Sequence, residues 1–370
     1  MSEILFATWD GGGNVPPAVA IATALRERGE TVRFIGHESQ REALAGAGFA
    51  FSSYDGVRPF SSLESNSPPR LVSMFTDKHL GRAVLSELER RPADVVVVDC
   101  LLVPILRALA DSGQRYVSLE HLFDRYLRRG WLRGPVGMVA RLKGLSPVQS
   151  WNSAAVALVA TPPSLDPGSA DPQPANVRFT GPALTLPAPH DLAAHDPAVL
   201  VSLSTFNYPG MGPALQRLLD ATAGLAARVI VTTGPVIDPA GLRTAANHEV
   251  HRYVPHDELM PQVSLVVGHG GLATTMRALA HGLPLVIMPM HPLLDQPMVG
   301  RAVAEAGAGE VVRKKASPDQ LRPVIERMLH DGPHREAAGR LATEIRELDG
   351  VHRGADLVQG VLAGNGAPAR

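Results

Sequence analysis

A turn built from glycines and one histidine, Gly268-His269-Gly270-Gly271, is the stretch of this chain best suited to chemistry. Val263 to Val267 before it predict a buried strand, and Leu272 to His281 after it predict a helix. A chain that passes from strand to helix at glycines leaves unpaired backbone N–H groups at the helix start, where the helix dipole is positive. The turn therefore predicts a phosphate site, and the His269 imidazole could add a donor.

Asp295 and Gln296 predict the second half of the same site. They follow another apolar run, Leu285 to Pro289, which predicts a strand. Ligands of parallel α/β sheets gather at the carboxyl ends of the strands, so we expect these side chains near the histidine turn. A carboxylate accepts hydrogen bonds and a carboxamide donates and accepts them, which suits sugar hydroxyls. A phosphate site beside a hydroxyl site describes a nucleotide sugar.

The whole stretch from Gly268 to Pro297 resembles the donor-site signature of family 1 glycosyltransferases of the GT-B fold, of the bacterial natural-product type. The shared pattern is a His-Gly-Gly turn, Thr274, an Ala-Leu-x-x-Gly-x-Pro step and a terminal Asp-Gln. The resemblance implies an α/β architecture of two doubly wound, Rossmann-like domains that face each other across a cleft. It also implies an inverting, metal-independent glycosyltransferase of the hexosyltransferase type. The donor would be a dTDP- or UDP-sugar and the acceptor a small, mostly apolar natural product.

Further donor-binding residues follow from the same resemblance. The family commonly places a small polar residue near the phosphates after the first strand of the second domain, and Ser204 and Thr205 occupy that position. The segment from Tyr253 to Pro261 resembles the one that holds the nucleobase. Val254 and His256 are therefore expected beside the base, with His256 standing where the family usually has Gln.

Arg277 is one departure from the family pattern. Many relatives have a glutamate for the ribose hydroxyls at this position. Because an arginine cannot accept hydrogen bonds from hydroxyls, either the ribose is recognised differently or Arg277 faces solvent.

The catalytic base is the other departure. The segment Trp9–Pro17 resembles the first loop of the family, but Asn14 stands where the catalytic histidine is expected. Asp99, at the end of a valine-rich strand, matches the carboxylate that orients that histidine. Displacement by a neutral hydroxyl requires proton removal, so four interpretations stay open. The base is Asp99, oriented by Asn14, or it is Asp10, or it is His121, or the acceptor is nucleophilic enough to need little help.

Alternating strands and helices predict where these residues are held. Nine short apolar runs indicate two doubly wound α/β sheets. They are Ile4–Thr8, Thr31–Ile35, Val95–Asp99, Tyr116–Leu119, Val156–Ala160, Val199–Ser204, Arg228–Thr233, Val263–Val267 and Leu285–Pro289. We assign residues 1–182 to an acceptor-binding domain, 183–197 to a linker and 198–350 to a nucleotide-sugar-binding domain. Residues 351–370 are expected to form a helix that crosses back to the first domain, followed by a flexible tail.

Composition narrows the function further. The 370 residues carry 35 basic and 36 acidic side chains, so the formal charge is 35 − 36 = −1, which gives no electrostatic reason to bind nucleic acid. Cys100 is the only cysteine, the histidines show no metal-binding spacing, and no apolar run is long enough to span a membrane. The chain starts without a charged leader, so we expect a cytoplasmic protein. It would use no metal and no cofactor beyond the nucleotide sugar, with a homodimer as a possible assembly.

Two competing functions remain at this stage. One is another GT-B enzyme, such as a nucleotide-sugar epimerase or a sterol or lipid glycosyltransferase. The other is a non-catalytic GT-B protein that activates a true transferase, which the absence of a histidine at Asn14 would explain. An intact donor pattern at His269, Asp295 and Gln296 favours a working transferase over that partner.

Overall fold

The computed structural model describes residues 1–62, 67–186, 196–330 and 332–364 of the chain. Two compact units divide the protein. The first combines Met1–Thr185 with Leu348–Arg370, and the second is Leu186–Glu347. Most of the predicted linker (187–195) and the end of the predicted tail (365–370) lie outside the described residues.

The first unit is built on a parallel sheet of seven strands in the order β3-β2-β1-β4-β5-β6-β7. Asp99 ends β4 and Glu120 ends β5, its neighbour in the sheet. The strands are β1 (Glu3–Ala7), β2 (Thr31–Gly36), β3 (Ala50–Ser53), β4 (Val95–Asp99), β5 (Tyr116–Glu120), β6 (Val156–Val159) and β7 (Val177–Phe179). The helices are α1 (Val15–Glu27), α2 (Arg41–Gly46), α3 (Pro68–Phe75), α4 (His79–Arg90), α5 (Val103–Ser112), α6 (Pro135–Leu142) and α7 (Pro147–Asn152), with a π-helix at Tyr126–Trp131.

The second unit contains a parallel sheet of six strands in the order β10-β9-β8-β11-β12-β13. Its strands are β8 (Ala198–Ser202), β9 (Arg228–Thr232), β10 (His248–His251), β11 (Leu265–Gly268), β12 (Leu285–Ile287) and β13 (Gly309–Val311). The helices that follow in the chain are α8 (Met211–Thr222), α9 (His256–Leu259), α10 (Leu272–Ala280), α11 (Gln296–Glu305), α12 (Pro318–Leu329), α13 (Pro333–Leu348) and α14 (Gly350–Leu362).

The central strands form because their side chains are apolar on both faces. In β4 the four valines from Val95 to Val98 are at most 1% exposed, with helices on each side of the sheet. Both sheets are therefore the doubly wound type that the alternating pattern predicts, and all nine predicted strands are present within a few residues.

Helix α14 belongs to the core of the first unit. Its buried residues Ala355, Val358 and Val361 pack in the same cluster as α1. Gly354 lets the two helices approach closely, because a β-carbon there would lie 2.9 Å from the side chain of Ile21. Among the described residues, no helix combines the length and apolarity needed to cross a lipid bilayer.

Candidate functional site

Asp99 and His121 form a close pair at the carboxyl edge of the first sheet. Strands β4 and β5 are parallel neighbours with Asp99 in register with Leu119, so the residue just after β5 emerges beside Asp99. Nε2 of His121 lies 3.1 Å from Oδ2 of Asp99, and the two side chains are 9% and 5% exposed. The structure therefore brings together a carboxylate and an imidazole that the sequence had only offered as alternatives.

Asn14 holds this carboxylate from the other side. Its Nδ2 donates to Oδ2 of Asp99 at 2.8 Å and to the carbonyl oxygen of Trp9 at 3.0 Å. The backbone N–H of Leu101 donates to Oδ1 of Asp99 at 3.0 Å. Because Asn14 is buried and its amide is engaged in this way, it serves to orient Asp99. The Asp99 carboxylate thus contacts a side-chain amide, a backbone N–H and an imidazole.

Asp10 lies in the same loop as Asn14 but has a different set of contacts. Its carboxylate accepts hydrogen bonds from the Ser39 hydroxyl at 2.8 Å and from the Ser62 hydroxyl at 3.3 Å. These contacts link the loop after β1 to the short 3₁₀ helix Glu38–Gln40 and to the turn at Ser62, which is a structural use of the side chain.

A further carboxyl group, that of Glu120, is buried directly before His121 in the chain, and the sequence analysis did not single it out. Glu120 is fully buried, and this burial raises its pKa to about 8. The nearest ion pair is with Arg128 at 3.7 Å, and the charges of Asp124 and Asp166 raise the pKa of Glu120 further. Burial also raises the pKa of Asp166 to about 6.

In the second unit, the glycine turn follows β11 as expected. Gly270 has a φ of +82°, a left-handed conformation that glycine adopts without strain. A β-carbon there would also lie 2.8 Å from Ile287 and 3.1 Å from the carbonyl oxygen of Gln296. The turn thus packs directly against the start of α11. Gly271 caps α10, and Thr274 is half-buried in the first turn of that helix.

The His269 ring lies next to Gly271, the residue that caps the start of α10. Its ring lies so close to Gly271 that a β-carbon there would meet Nε2 at 2.4 Å. Burial, with a smaller contribution from nearby His256, lowers the pKa of His269 to about 4, so the ring is neutral at pH 7. Its Nδ1 is buried and makes no hydrogen bond within the described residues. The turn therefore offers a neutral imidazole and free helix N–H groups to an anion.

Gln296 and Asp295 begin α11 beside this turn. The Oε1 of Gln296 accepts from the backbone N–H groups of Met290 at 2.8 Å and of His291 at 3.0 Å. The carbonyl half of this amide therefore shapes the loop before α11, and its NH₂ half remains the part suited to a ligand. Asp295 is the N-cap residue of α11 and is 9% exposed.

The hydroxyl groups at the end of β8 are arranged differently from the prediction. The strand ends at Ser202, so Ser204 and Thr205 lie in the loop beyond it, half-buried and exposed respectively. Ser202 accepts a hydrogen bond from Thr232 at 2.7 Å, and its Oγ is 3.1 Å from Nε2 of His256.

The segment expected to hold the base follows β10. Val254 is half-buried, and burial lowers the pKa of His256 to about 4. Arg277 does not simply face solvent. Its Nε pairs with Asp257 at 2.7 Å, next to His256.

Tyr208 is a site residue that the sequence analysis missed. Its ring centroid is 6.0 Å from that of His269 and 6.3 Å from that of His291. Its phenol interacts with the side chains of Gln296 and Ser204, and burial together with the charge of Asp295 raises its pKa. An aromatic residue in the loop after the first strand of this unit was the available signal.

Several known proteins are similar to this chain in sequence or in fold. Residues 216–347 match the family model described as "Erythromycin biosynthesis protein CIII-like, C-terminal domain". A 4'-demethylrebeccamycin synthase from Lentzea aerocolonigenes is 27% identical, with 98% of this chain and all of that protein covered. A demethyllactenocin mycarosyltransferase from Streptomyces fradiae is 29% identical over 45% of this chain and 36% of its own length. The solved structure of the glycotransferase of kitacinnamycin superposes with a TM-score of 0.80 at 21% identity, covering 97% of this chain and 98% of that one.

These matches confirm two predictions. The fold is GT-B, and the homologues of the chain are glycosyltransferases of natural-product biosynthesis.

Proposed function

We propose that this homologue of natural-product glycosyltransferases transfers a sugar from a thymidine or uridine diphosphate sugar to a small, mostly apolar acceptor, with inversion and without a metal. The observation that carries this proposal is the glycine turn at the start of α10, with His269 over it and Gln296 against it. It combines an anion site with polar groups for sugar hydroxyls in one unit.

The donor half of the reaction follows from the charges at the turn. The diphosphate gains negative charge as the bond to the sugar breaks. Backbone N–H groups and the dipole of α10 stabilise that charge from fixed positions. His269 is neutral because burial lowers its pKa to about 4, so it contributes a hydrogen bond rather than a positive charge. Asp295 and the NH₂ group of Gln296 are suited to bind the sugar hydroxyls.

For the acceptor half, we propose that His121 is the base and Asp99 its positioning residue. The Asp99 carboxylate already accepts from Asn14 and from the N–H of Leu101, with the imidazole 3.1 Å away. With Nε2–H directed at Asp99, Nδ1 carries the lone pair that takes the acceptor proton. As the acceptor oxygen bonds to the anomeric carbon from the face opposite the diphosphate, that group leaves and the configuration inverts.

The test is calorimetric titration with thymidine diphosphate and uridine diphosphate. We expect one of them to bind the wild-type protein, and His269→Ala to weaken that binding about 10- to 100-fold, as expected for a lost hydrogen bond to a charged group. His330→Ala is the matched control, because His330 is an exposed histidine of the same unit at the end of α12.

Unchanged affinity in the control and reduced affinity in His269→Ala support the donor site. A wild-type protein that binds neither nucleotide at millimolar concentration contradicts the proposed function and favours a non-catalytic partner protein instead.

A further inference from the structure

Three side chains of different chemistry meet at the carboxyl edge of the first sheet. Asp99, Cys100 and His121 offer a carboxylate oxygen, a thiol sulfur and an imidazole nitrogen, and these three atoms lie within 4.8 Å of one another. Oxygen, sulfur and nitrogen ligands at such a spacing are the set that zinc and similar borderline-soft metals prefer.

The backbone around these residues is well anchored. The N–H of Cys100 donates to the carbonyl oxygen of Leu119 at 3.0 Å, which continues the β4–β5 ladder past the end of β4. The carbonyl oxygen of Cys100 accepts from Nε1 of Trp151 at 2.8 Å. On the far side of the cluster, Asn14 holds the Asp99 carboxylate at 2.8 Å and fixes its orientation. Outer contacts of this kind orient ligands in metal sites.

A further carboxyl group lies next to the cluster in the chain. Glu120 directly precedes His121 and is fully buried, and its ion pair to Arg128 is as long as 3.7 Å.

We propose that Asp99, Cys100 and His121 form a binding site for a thiophilic divalent cation of the zinc class, and that occupancy of this site inhibits sugar transfer. On binding, the S–H bond of Cys100 breaks, its proton goes to solvent, and a metal–sulfur bond forms without any change of oxidation state. His121 binds through an unprotonated ring nitrogen, so its single N–H proton is carried by the other nitrogen. Tetrahedral zinc holds its ligand atoms about 3.5 Å apart, and the Asp99–His121 pair at 3.1 Å is already close to that spacing. The inhibitory part rests on the proposed function, in which His121 is the base and Asp99 positions it. A cation bound to both side chains would prevent His121 from accepting the proton of the acceptor.

The binding part is tested with Co²⁺ as a spectroscopic probe on the full chain. A cysteine ligand gives a sulfur-to-cobalt charge-transfer band in the near ultraviolet, which titration follows directly without any activity. We expect this band in the wild type and its loss in both Cys100→Ala and Cys100→Ser, with affinity reduced by more than about 100-fold. His79→Ala is the control. His79 and Asp77 also form a histidine–carboxylate pair, at 2.7 Å, but they are not part of the Asp99–Cys100–His121 cluster.

The inhibitory part is tested by adding Zn²⁺ to the active enzyme. We expect loss of turnover that a chelator reverses, and resistance to zinc in Cys100→Ala with basal turnover retained. No cobalt band in the wild type, or the same band in a folded Cys100→Ala, overturns the metal site. Equal inhibition of wild type and Cys100→Ala overturns the inhibitory role. Because the cobalt band needs no turnover, an inactive protein contradicts the proposed function without affecting the test of the metal site.

Discussion

The pairing of His121 with Asp99 predicts how kcat changes in the variants His121→Ala and Asp99→Asn and in the double variant that combines them. We expect His121→Ala to lower kcat by about 10²- to 10⁴-fold, the usual contribution of a general base, which corresponds to about 3–5 kcal/mol of activation free energy. Nucleotide affinity should stay unchanged, because the donor-binding residues belong to the second unit.

The Asp99→Asn variant should lower kcat by a similar factor, because Asp99 sets the tautomer of the His121 imidazole. Replacing the carboxylate with an amide removes the acceptor that lies 3.1 Å from Nε2 of His121, and it places an NH₂ group or a weaker acceptor there. The ring then loses the tautomer in which Nδ1 accepts a proton. Since both residues act through one proton transfer, the double variant should lose no more than His121→Ala alone.

The assay is acceptor-dependent release of nucleoside diphosphate, with kcat and KM determined separately. Asp10→Asn is the matched control, because Asp10 is an acid of the same sheet edge whose contacts are with Ser39 and Ser62. Additive losses in the double variant would refute a shared proton transfer. A greater loss in Asp10→Asn than in His121→Ala would identify a different base.

Three further predictions concern buried groups. Burial raises the pKa of Glu120 from 4.5 to about 8, which costs stability as pH rises through that range. Calorimetry should therefore show Glu120→Gln more stable by up to about 5 kcal/mol above pH 8, and little changed near pH 4. His256 and His269 have pKa values lowered from 6.5 to about 4, so the second unit should lose stability as pH falls between those values. A melting temperature that is flat across that window would contradict this. Tyr208→Phe should weaken nucleotide binding about three- to tenfold, because it removes a hydrogen bond of the phenol with the donor-site side chains Gln296 and Ser204. The variant Asn207→Ala, at the exposed neighbouring residue, should leave nucleotide binding unchanged.

The sequence predicts the interior strands of both sheets and misses the outer ones. The four strands absent from the prediction are β3, β7, β10 and β13, and each lies at an edge of its sheet. Interior strands are buried on both faces and read as apolar runs. Edge strands such as His248–His251 alternate half-buried and exposed residues, so their composition resembles that of a loop.

The candidate site shows the same limit at the level of single side chains. Asp99 and His121 could each be singled out from strand ends, but their 3.1 Å separation depends on the register of β4 against β5, which no local pattern encodes. The donor turn could be predicted because its function depends on local backbone geometry. Tyr208 could not, because its place beside His269 depends on how a loop folds over the sheet edge.

The return of the chain to its first unit has a consequence for synthesis on the ribosome. Because Leu348–Arg370 complete a unit that begins at Met1, residues 186–347 amount to an insertion within it. The inserted unit is synthesised in full before α14 is made, so the first unit stays incomplete until translation is nearly over. Until then the apolar surface of α1 and β6 around Ile21 and Leu158, which later contacts Gly354, stays uncovered. The nascent chain is therefore most exposed to aggregation, and most in need of chaperones, while residues 186–347 are being translated.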